Sequence, residues 1–554
     1  MLYNKINDIK IIGGGSAGWM TAATLIRKLR PGSKITLIES PNISTVGVGE
    51  STIGGISNWM EILDINRPEE FIKETDGTIK LSIRFEDFYK KNDGGFHYPF
   101  GHPVTFGNKE GGNDWYYKRM IQPDTPKTDF ADCMFAQMAM VNANTLSKNF
   151  PSFNYKGDKA YHFDATKFGL FLKDKVCLPE GVQHVLGNVV EDKIKVDEDG
   201  NVSEITLDNG ETYTADLWID CTGFKSMLLG GALKEPFVSF EDMLPNNSAW
   251  ATRLPYKDKK KELNLYTDCI AHNNGWVWKI PLWTRWGTGY VYSDKYISDE
   301  DAKEEFKQFI KDRNYDGLNV DELEFRNIKM RVGRHERIWV KNVCAIGLSA
   351  GFIEPLESNG LYSVHEFLRV LIQIIGQARG NYSNFDRENF NFQTTRMFDG
   401  FASFVAMHYA LSHRDDTPYW QDVQQRDFES AYDKIMAKVT KNVNKGYLNH
   451  FTEMFYRKNI DKSWAGTEGM QCIAPGMEFN MIDWNDVMYN NVNNVKDSYY
   501  MYFKELAERL TARSLEWKMQ AQKCTSAYDF LKHEFFDGKD DEEWQTFTQD
   551  KNTK

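Results

Sequence analysis

The stretch "DIKIIGGGSAGWMTAATLIRKL" constrains the fold more than any other part of the chain. A short apolar run ending at Ile12 meets three glycines, then an amphipathic pattern with Met20, Leu25 and Ile26 among its apolar positions. Gly13, Gly15 and Gly18 fill G-x-G-x-x-G between that strand and that helix. The first glycine makes a tight turn, the second lets the backbone approach a pyrophosphate, and the third lets helix and strand pack closely. Ser16 and Ala17 open the helix, whose first N–H groups point at the phosphates. A second strand, "KITLIES", ends in Glu39, where an acid accepts hydrogen bonds from an adenosine ribose. The pattern predicts a Rossmann-type βαβ unit for a dinucleotide; the alternative is a glycine turn in an unrelated α/β protein.

Charge and composition narrow the partners. Lys and Arg number 67 against 79 Asp and Glu, a formal charge of −12 that repels phosphate backbones and anionic lipid. Neither nucleic acid nor a membrane surface is expected as a partner. Aromatics reach 14%, enough to line a pocket for a flat ligand. The seven cysteines include no C-x-x-C pair, and they read as reduced thiols of a cytoplasmic protein. The histidines show no metal-ligand spacing, so no metal is assigned. No secretory leader and no run of about 18 apolar residues is present, which again points to the cytoplasm.

Further along, "NVVEDKIKVDEDGNVSEITLDNGETYTADLWIDCTG" reads as a small antiparallel sheet, with turns at "DEDGN" and "LDNGE". "NGWVWKIPL" and "GTGYVYS" read as neighbouring strands. Beyond "GLSAGFIEPLESNG" the pattern turns helical in "LYSVHEFLRVLIQIIGQARG" and "SYYMYFKELAERLTARSLEWKMQAQ". The fold class expected is α/β: a Rossmann-type βαβ domain with an added antiparallel sheet and a mainly helical substrate-binding layer. The domains expected are residues 1–370 for the nucleotide module with its inserted sheet, and residues 371–554 for a helical, substrate-covering region. The tail "DGKDDEEWQTFTQDKNTK" reads as solvated.

Six blocks, in this order, resemble the flavin-dependent tryptophan halogenase family: "GGGSAGWM", "VGVGEST", "DGTIKLSIRF", "DLWIDCTGF", "GWVWKIP" and "IGLSAGFIEPLES". The match runs on through "HYALSHRDDTPYW", and W-x-W-x-I-P with a lysine block and E-P-L-E-S is its most specific part. The lysine- and asparagine-rich composition is similar to that of a phage-encoded member. The resemblance implies FAD, used as FADH2, with halide and O2 as co-substrates. It also implies a separate NAD(P)H-dependent flavin reductase that delivers FADH2 by diffusion. Homo-oligomerisation stays open.

The resemblance also assigns roles. Gly13, Gly15, Ser16, Ala17, Gly18 and Glu39 are implied to hold the adenosine diphosphate end, Gly49, Glu50 and Ser51 to lie over the isoalloxazine, and Ile346 and Gly347 to make the second flavin contact. Many flavin hydroxylases carry Gly-Asp where this chain has Gly347-Leu348. Trp276 and Trp278, two apart on a strand, share a face. With Pro281 they are implied to wall the organic substrate off from the flavin while halide passes; ordinary core packing is the other reading of such a pair. Lys80 lies between Ile79 and Leu81, and alternation turns it to the opposite face, which in many strands is the solvated one. It matches the family lysine implied to meet hypohalous acid, as a haloamine or through a hydrogen bond. Glu357 matches the glutamate implied to polarise the halogenating species and take the ring proton; a helix N-terminal acid is its other reading. The amides of Ser358, Asn359 and Gly360 are implied to bind halide, with Asn359 where the family commonly has threonine.

Substrate residues are implied more thinly. Phe100 and Tyr98 of "HYPFG", with Trp464 and Glu357, are the candidates, and Pro475 keeps family-like spacing to Trp464. Tyr98 falls where tryptophan-using members often carry histidine. The reading is therefore an indole, phenol or other electron-rich arene. The competing readings are a flavin-dependent aromatic monooxygenase and a non-catalytic FAD-binding redox sensor.

Overall fold

The computed structural model describes residues 4–29, 32–43, 49–65, 68–106, 112–313, 318–377, 380–424, 466–478 and 496–539. Trp464, Val46–Val48 of the "VGVGEST" block and the tail from residue 540 lie outside the described residues. The chain divides into two compact units, each built from three segments: residues 1–77, 161–249 and 328–399, and residues 78–160, 250–327 and 400–554. This differs from the single linear boundary expected at residue 370, because a chain that leaves one unit and returns to it carries no local mark of doing so.

In the first unit, the apolar run becomes the strand Asp8–Ile12, followed by the helix Ser16–Lys28 and the strand Lys34–Glu39. The two strands pair in parallel, Ile12 opposite Ile38, as a crossover through a helix requires. The six-stranded sheet runs 183–186, 34–39, 8–12, 217–220, 343–345, 339–340, and only the last strand is antiparallel. "DLWID", expected at the end of the small antiparallel sheet, is a central strand of this parallel one. Its residues Leu217–Asp220 are all buried, since both faces of such a strand are covered. The small sheet itself forms from 195–196, 202–206 and 212–213. "LYSVHEFLRVLIQIIGQARG" forms the helix Gly360–Gln377, which packs on Ser16–Lys28.

The second unit is organised by five consecutive strands of a seven-stranded sheet, in the order 286–292, 275–281, 266–272, 82–86, 95–99. "GWVWKIP" and "GTGYVYS" are neighbouring strands as expected, and they run antiparallel with Trp278 opposite Gly289 and Trp276 opposite Val291. Alternation splits the sheet into two faces. Val277, Ile270, Tyr290 and Tyr292 face a core closed by the helix Asp299–Asp312 through Ala302, Phe306 and Ile310. Trp276, Trp278, Cys269, Phe85, Phe96 and Tyr98 take the opposite face. The long helix Lys496–Ala521 forms where its pattern predicts it. The shorter helix Gly466–Gly476 lies against the strand Gly95–Pro99. Gly469 and Gly476, two turns apart on one helix face, allow that approach: a Cβ on Gly469 would lie 3.2 Å from the Tyr98 hydroxyl.

Candidate functional site

The nucleotide end is built from the glycine turn. Gly13 has φ +113°, a left-handed conformation that favours glycine, and its N–H donates to the carbonyl of Ile38 at 2.9 Å. Gly15 precedes a 13-residue helix that has no side-chain cap and no acid in its first turn. Its first N–H groups and positive dipole end are therefore left for an anion. No described atom lies within 4 Å of where a Cβ on Gly15 would project, while one on Gly18 would collide with the Gly13 carbonyl. Glu39 lies directly over Gly14, and Glu39 Oε2 pairs with His184 Nε2 at 2.9 Å. Nothing in the sequence singles out His184, since its strand is a separate run 145 residues away.

Two further segments reach this turn. Ile346 N–H donates to the Asp220 carbonyl at 3.0 Å, and Gly347, at φ +80°, sits so close to Ala17 that a Cβ there would be 2.8 Å from Ala17 Cβ. Asp220 fixes the adjoining turn, its carboxylate accepting from Leu228 N–H at 2.8 Å, Leu229 N–H at 2.9 Å and Thr222 N–H at 3.0 Å. The donor-rich helix end, the glycine cradle and the overlying acid fit the adenosine diphosphate part of FAD.

The residues predicted for the isoalloxazine and for halide meet each other. Gly49 has φ +105°, and Ser51 pairs with His162 on the strand Ala160–Phe163. Ser358 Oγ donates to Ser51 Oγ at 3.0 Å, joining positions 307 residues apart. A Cβ on Gly360 would lie 3.0 Å from Glu50 Oε1. Ser358 adopts the left-handed region, φ 58°, so that the Pro355–Glu357 turn reverses direction before the helix Gly360–Gln377 begins. Glu357 is only 1% exposed, which removes it from the ordinary role of a solvated acid at a helix start. Asn359 Nδ2 donates to the Ile353 carbonyl at 3.2 Å, and its Oδ1 has no hydrogen-bond partner among the described residues. Glu354, the first acid of E-P-L-E-S, accepts from Asn246 Nδ2 at 2.7 Å and is fully buried.

The second unit carries the lysine and the tryptophans. Lys80 is 0% exposed, so the solvated face that alternation allows does not exist. The whole strand Thr78–Lys80 is buried. The Lys80 ammonium lies 5.1 Å from the centre of the Phe100 ring, a cation–π arrangement that offsets part of its desolvation. Phe100 and Tyr98 have ring centres 6.3 Å apart, and Tyr98 packs edge-on against Phe404. Trp276 and Trp278 are 1% and 8% exposed with ring centres 6.3 Å apart, on one face as their spacing predicts. Pro281 alternates to the other face, with Val277 and Lys279. Gly289, which the sequence motifs do not mark, lies directly beneath the Trp278 indole. Glycine inside the strand "GTGYVYS", at Gly287 and Gly289, was the available signal.

Behind the tryptophans, on the core side, His97, Arg84, Asp268 and Lys279 form a cross-strand row. Arg84 reaches Asp268 at 3.2 Å, and His97 Nδ1 lies 3.0 Å from Ser82 Oγ. Burial, aided by the Arg84 cation, holds His97 down to about 3. Among the described residues no group of three His, Cys, Asp or Glu side chains is placed to hold a metal, and no helix is long and apolar enough to cross a membrane.

Known proteins place this geometry in context. The family described as tryptophan halogenase matches residues 8–475. The chain is 34% identical over 447 residues to tryptophan 6-halogenase ThaL of Streptomyces albogriseolus, covering 78% of this chain and 82% of that one. To tryptophan 7-halogenase RebH of Lentzea aerocolonigenes it is 33% identical over 433 residues, covering 76% and 79%. Among solved structures it is similar to the VirX1 apo structure, with a TM-score of 0.85 and 35% identity over 96% of this chain and 100% of that one. The crystal structure of tryptophan 6-halogenase SttH from Streptomyces toxytricini gives a TM-score of 0.79 and 29% identity, covering 95% and 99%.

Proposed function

Because the chain belongs to the flavin-dependent tryptophan halogenase family, we propose that it halogenates an electron-rich arene of the indole or phenol type, with Lys80 as the group that engages the oxidised halogen. As a member of that family it is an FADH2-dependent enzyme that uses halide and O2 and depends on a separate flavin reductase. In this reading the reductase is NAD(P)H-dependent and its FADH2 arrives by diffusion. Bound FADH2 supplies the electrons that, with O2 and halide, yield hypohalous acid.

The chain's own residues then do four things. The amides of Asn359 and Gly360 hold halide, as backbone N–H groups in such turns hold anions; the Ser358 amide, expected to join them, is instead spent on the Pro355 carbonyl at 3.0 Å. Trp276 and Trp278 exclude the arene from the oxidising chemistry, so that halide is the nucleophile consumed there. Lys80 receives hypohalous acid, either donating a hydrogen bond to its oxygen or taking the halogen onto nitrogen. Glu357 accepts the proton that leaves the ring as the carbon–halogen bond forms. The hypohalous oxygen leaves as water at that step when Lys80 only donates a hydrogen bond, and earlier, as the nitrogen–halogen bond replaces an N–H bond of the neutral amine, when Lys80 takes the halogen. Tyr98 and Phe100 offer ring faces to a flat substrate.

The observation that carries this reading is Lys80: a lysine with no exposed surface, beside an aromatic ring, in the unit that holds the tryptophan pair. Burying an ammonium costs stability, and lysines desolvated in this way are concentrated at functional sites. The test supplies reduced FAD, O2 and bromide with a panel of arenes that includes tryptophan, simple indoles and phenols. The expected product gains bromine in place of hydrogen. Lys80→Ala is expected to bind FAD and consume FADH2 at the unmodified rate while product falls at least about a hundredfold. A fully active Lys80→Ala, or a hydroxylated product formed without halide, ends the proposal.

A further inference from the structure

Lys80 is the last residue of a strand only three residues long, Thr78–Lys80, and so short an element does not place a side chain by itself. Its C-terminal side is held by backbone: Leu81 N–H donates to the Leu265 carbonyl at 2.7 Å, and the Leu81 carbonyl accepts from Phe100 N–H at 3.1 Å. Toward its N-terminal side a side chain takes part. Thr78 Oγ donates to the carbonyl of Pro281 at 2.6 Å, a buried bond between residues 203 apart. Pro281 ends the strand Gly275–Pro281 that carries Trp276 and Trp278. Thr78 and Lys80 are two apart, so their side chains leave the strand on the same side. The face from which the ammonium projects is therefore the face tied to the tryptophan strand.

We infer that Thr78 is a positioning residue: its hydroxyl fixes Lys80 relative to the tryptophan strand. The inference rests on the roles proposed above for Lys80 and the tryptophans. The hydroxyl rather than the shape of the side chain does this, because valine has the same branched outline and lacks the donor. Removing the donor frees the segment to move against its neighbour by a fraction of an ångström or more. Displacements of about 1 Å in a reacting group cost up to about a hundredfold in rate.

The test uses the full chain with reduced FAD, O2, bromide and an arene that the unmodified protein brominates. Brominated product per FADH2 consumed is measured at saturating arene, alongside the FADH2 oxidation rate and FAD affinity. For Thr78→Val, product per FADH2 is expected to fall at least about tenfold, while Thr78→Ser stays within about threefold of the unmodified protein. FAD affinity and FADH2 oxidation should not move in either. Should the valine variant fail to fold, Thr78→Ala carries the same expectation. An unmodified product ratio in the valine or alanine variant overturns the inference. So does a serine variant as impaired as valine, or a loss of FAD affinity in step with product. Failure of the unmodified protein to brominate any arene would instead overturn the functional reading, and this inference with it.

Discussion

Gly289→Ala puts the packing of the tryptophan pair to a direct test. A Cβ at residue 289 would lie 2.1 Å and 2.3 Å from Cη2 and Cζ2 of Trp278, and 2.6 Å from the carbonyl oxygen of Trp250. Ordinary contact begins near 3.4 Å, so the indole must retreat by more than 1 Å, and the backbone carbonyl must give as well. Trp278 cannot retreat freely: it is 8% exposed, its own carbonyl accepts from Thr288 Oγ at 2.7 Å, and Trp276 stands beside it. Overpacking of this kind costs about 1–3 kcal/mol, and with ring and backbone both displaced the upper half of that range is expected, about 2–3 kcal/mol. For a domain of this size that is a fall in Tm of about 5 °C. Thermal unfolding followed by near-ultraviolet circular dichroism measures it, because indole signals report the tryptophan environment. If the proposed wall is also correct, brominated product per FADH2 falls while FADH2 oxidation continues. A variant with unmodified Tm, near-ultraviolet spectrum and product ratio would refute the reasoning, since it would mean that the indole does not rest on residue 289.

Gly376→Ala is the matched control: no described atom lies within 4 Å of its added Cβ, it is helical, and stability is expected to stay level or rise by up to about 1 kcal/mol in the same melts. Asp220→Ala strands the buried N–H groups of Leu228 and Leu229, and a loss of at least about 3 kcal/mol, with weakened FAD binding, is expected by denaturant titration. His97 supplies a pH dependence. Its folded value of about 3 lies below the ordinary 6.5, so the unfolded chain binds a proton that the folded chain refuses. The stability from neutral His97 is complete above pH 6.5 and is lost as pH falls from there toward 3, by up to about 1.4 kcal/mol per unit from this group. His97→Gln should flatten that limb of the stability profile; an unchanged limb would show that other groups set it.

The parts of this protein legible in the chain were those whose physics is local. A strand, a glycine turn and a helix in succession fix a βαβ unit because each element's period and each glycine's backbone freedom act within a few residues. Trp276 and Trp278 share a face for an equally local reason, the two-residue period of a strand. The long helices beginning at Gly360 and Lys496 likewise follow from their own periodicity.

Burial and distant pairing are not local, and there the sequence is silent. Lys80 reads from its neighbours as a candidate for a solvated face, yet packing from segments far along the chain leaves it no exposed surface. "DLWID" belongs to the parallel sheet because Asp8–Ile12 and Val343–Ala345 flank it, which nothing within the five residues states. Ser51 meets Ser358, and Thr78 meets Pro281, through hydrogen bonds spanning 307 and 203 residues. Side-chain period is set by neighbours along the chain; what a side chain touches is set by which distant strands lie against it, and only the assembled fold decides that.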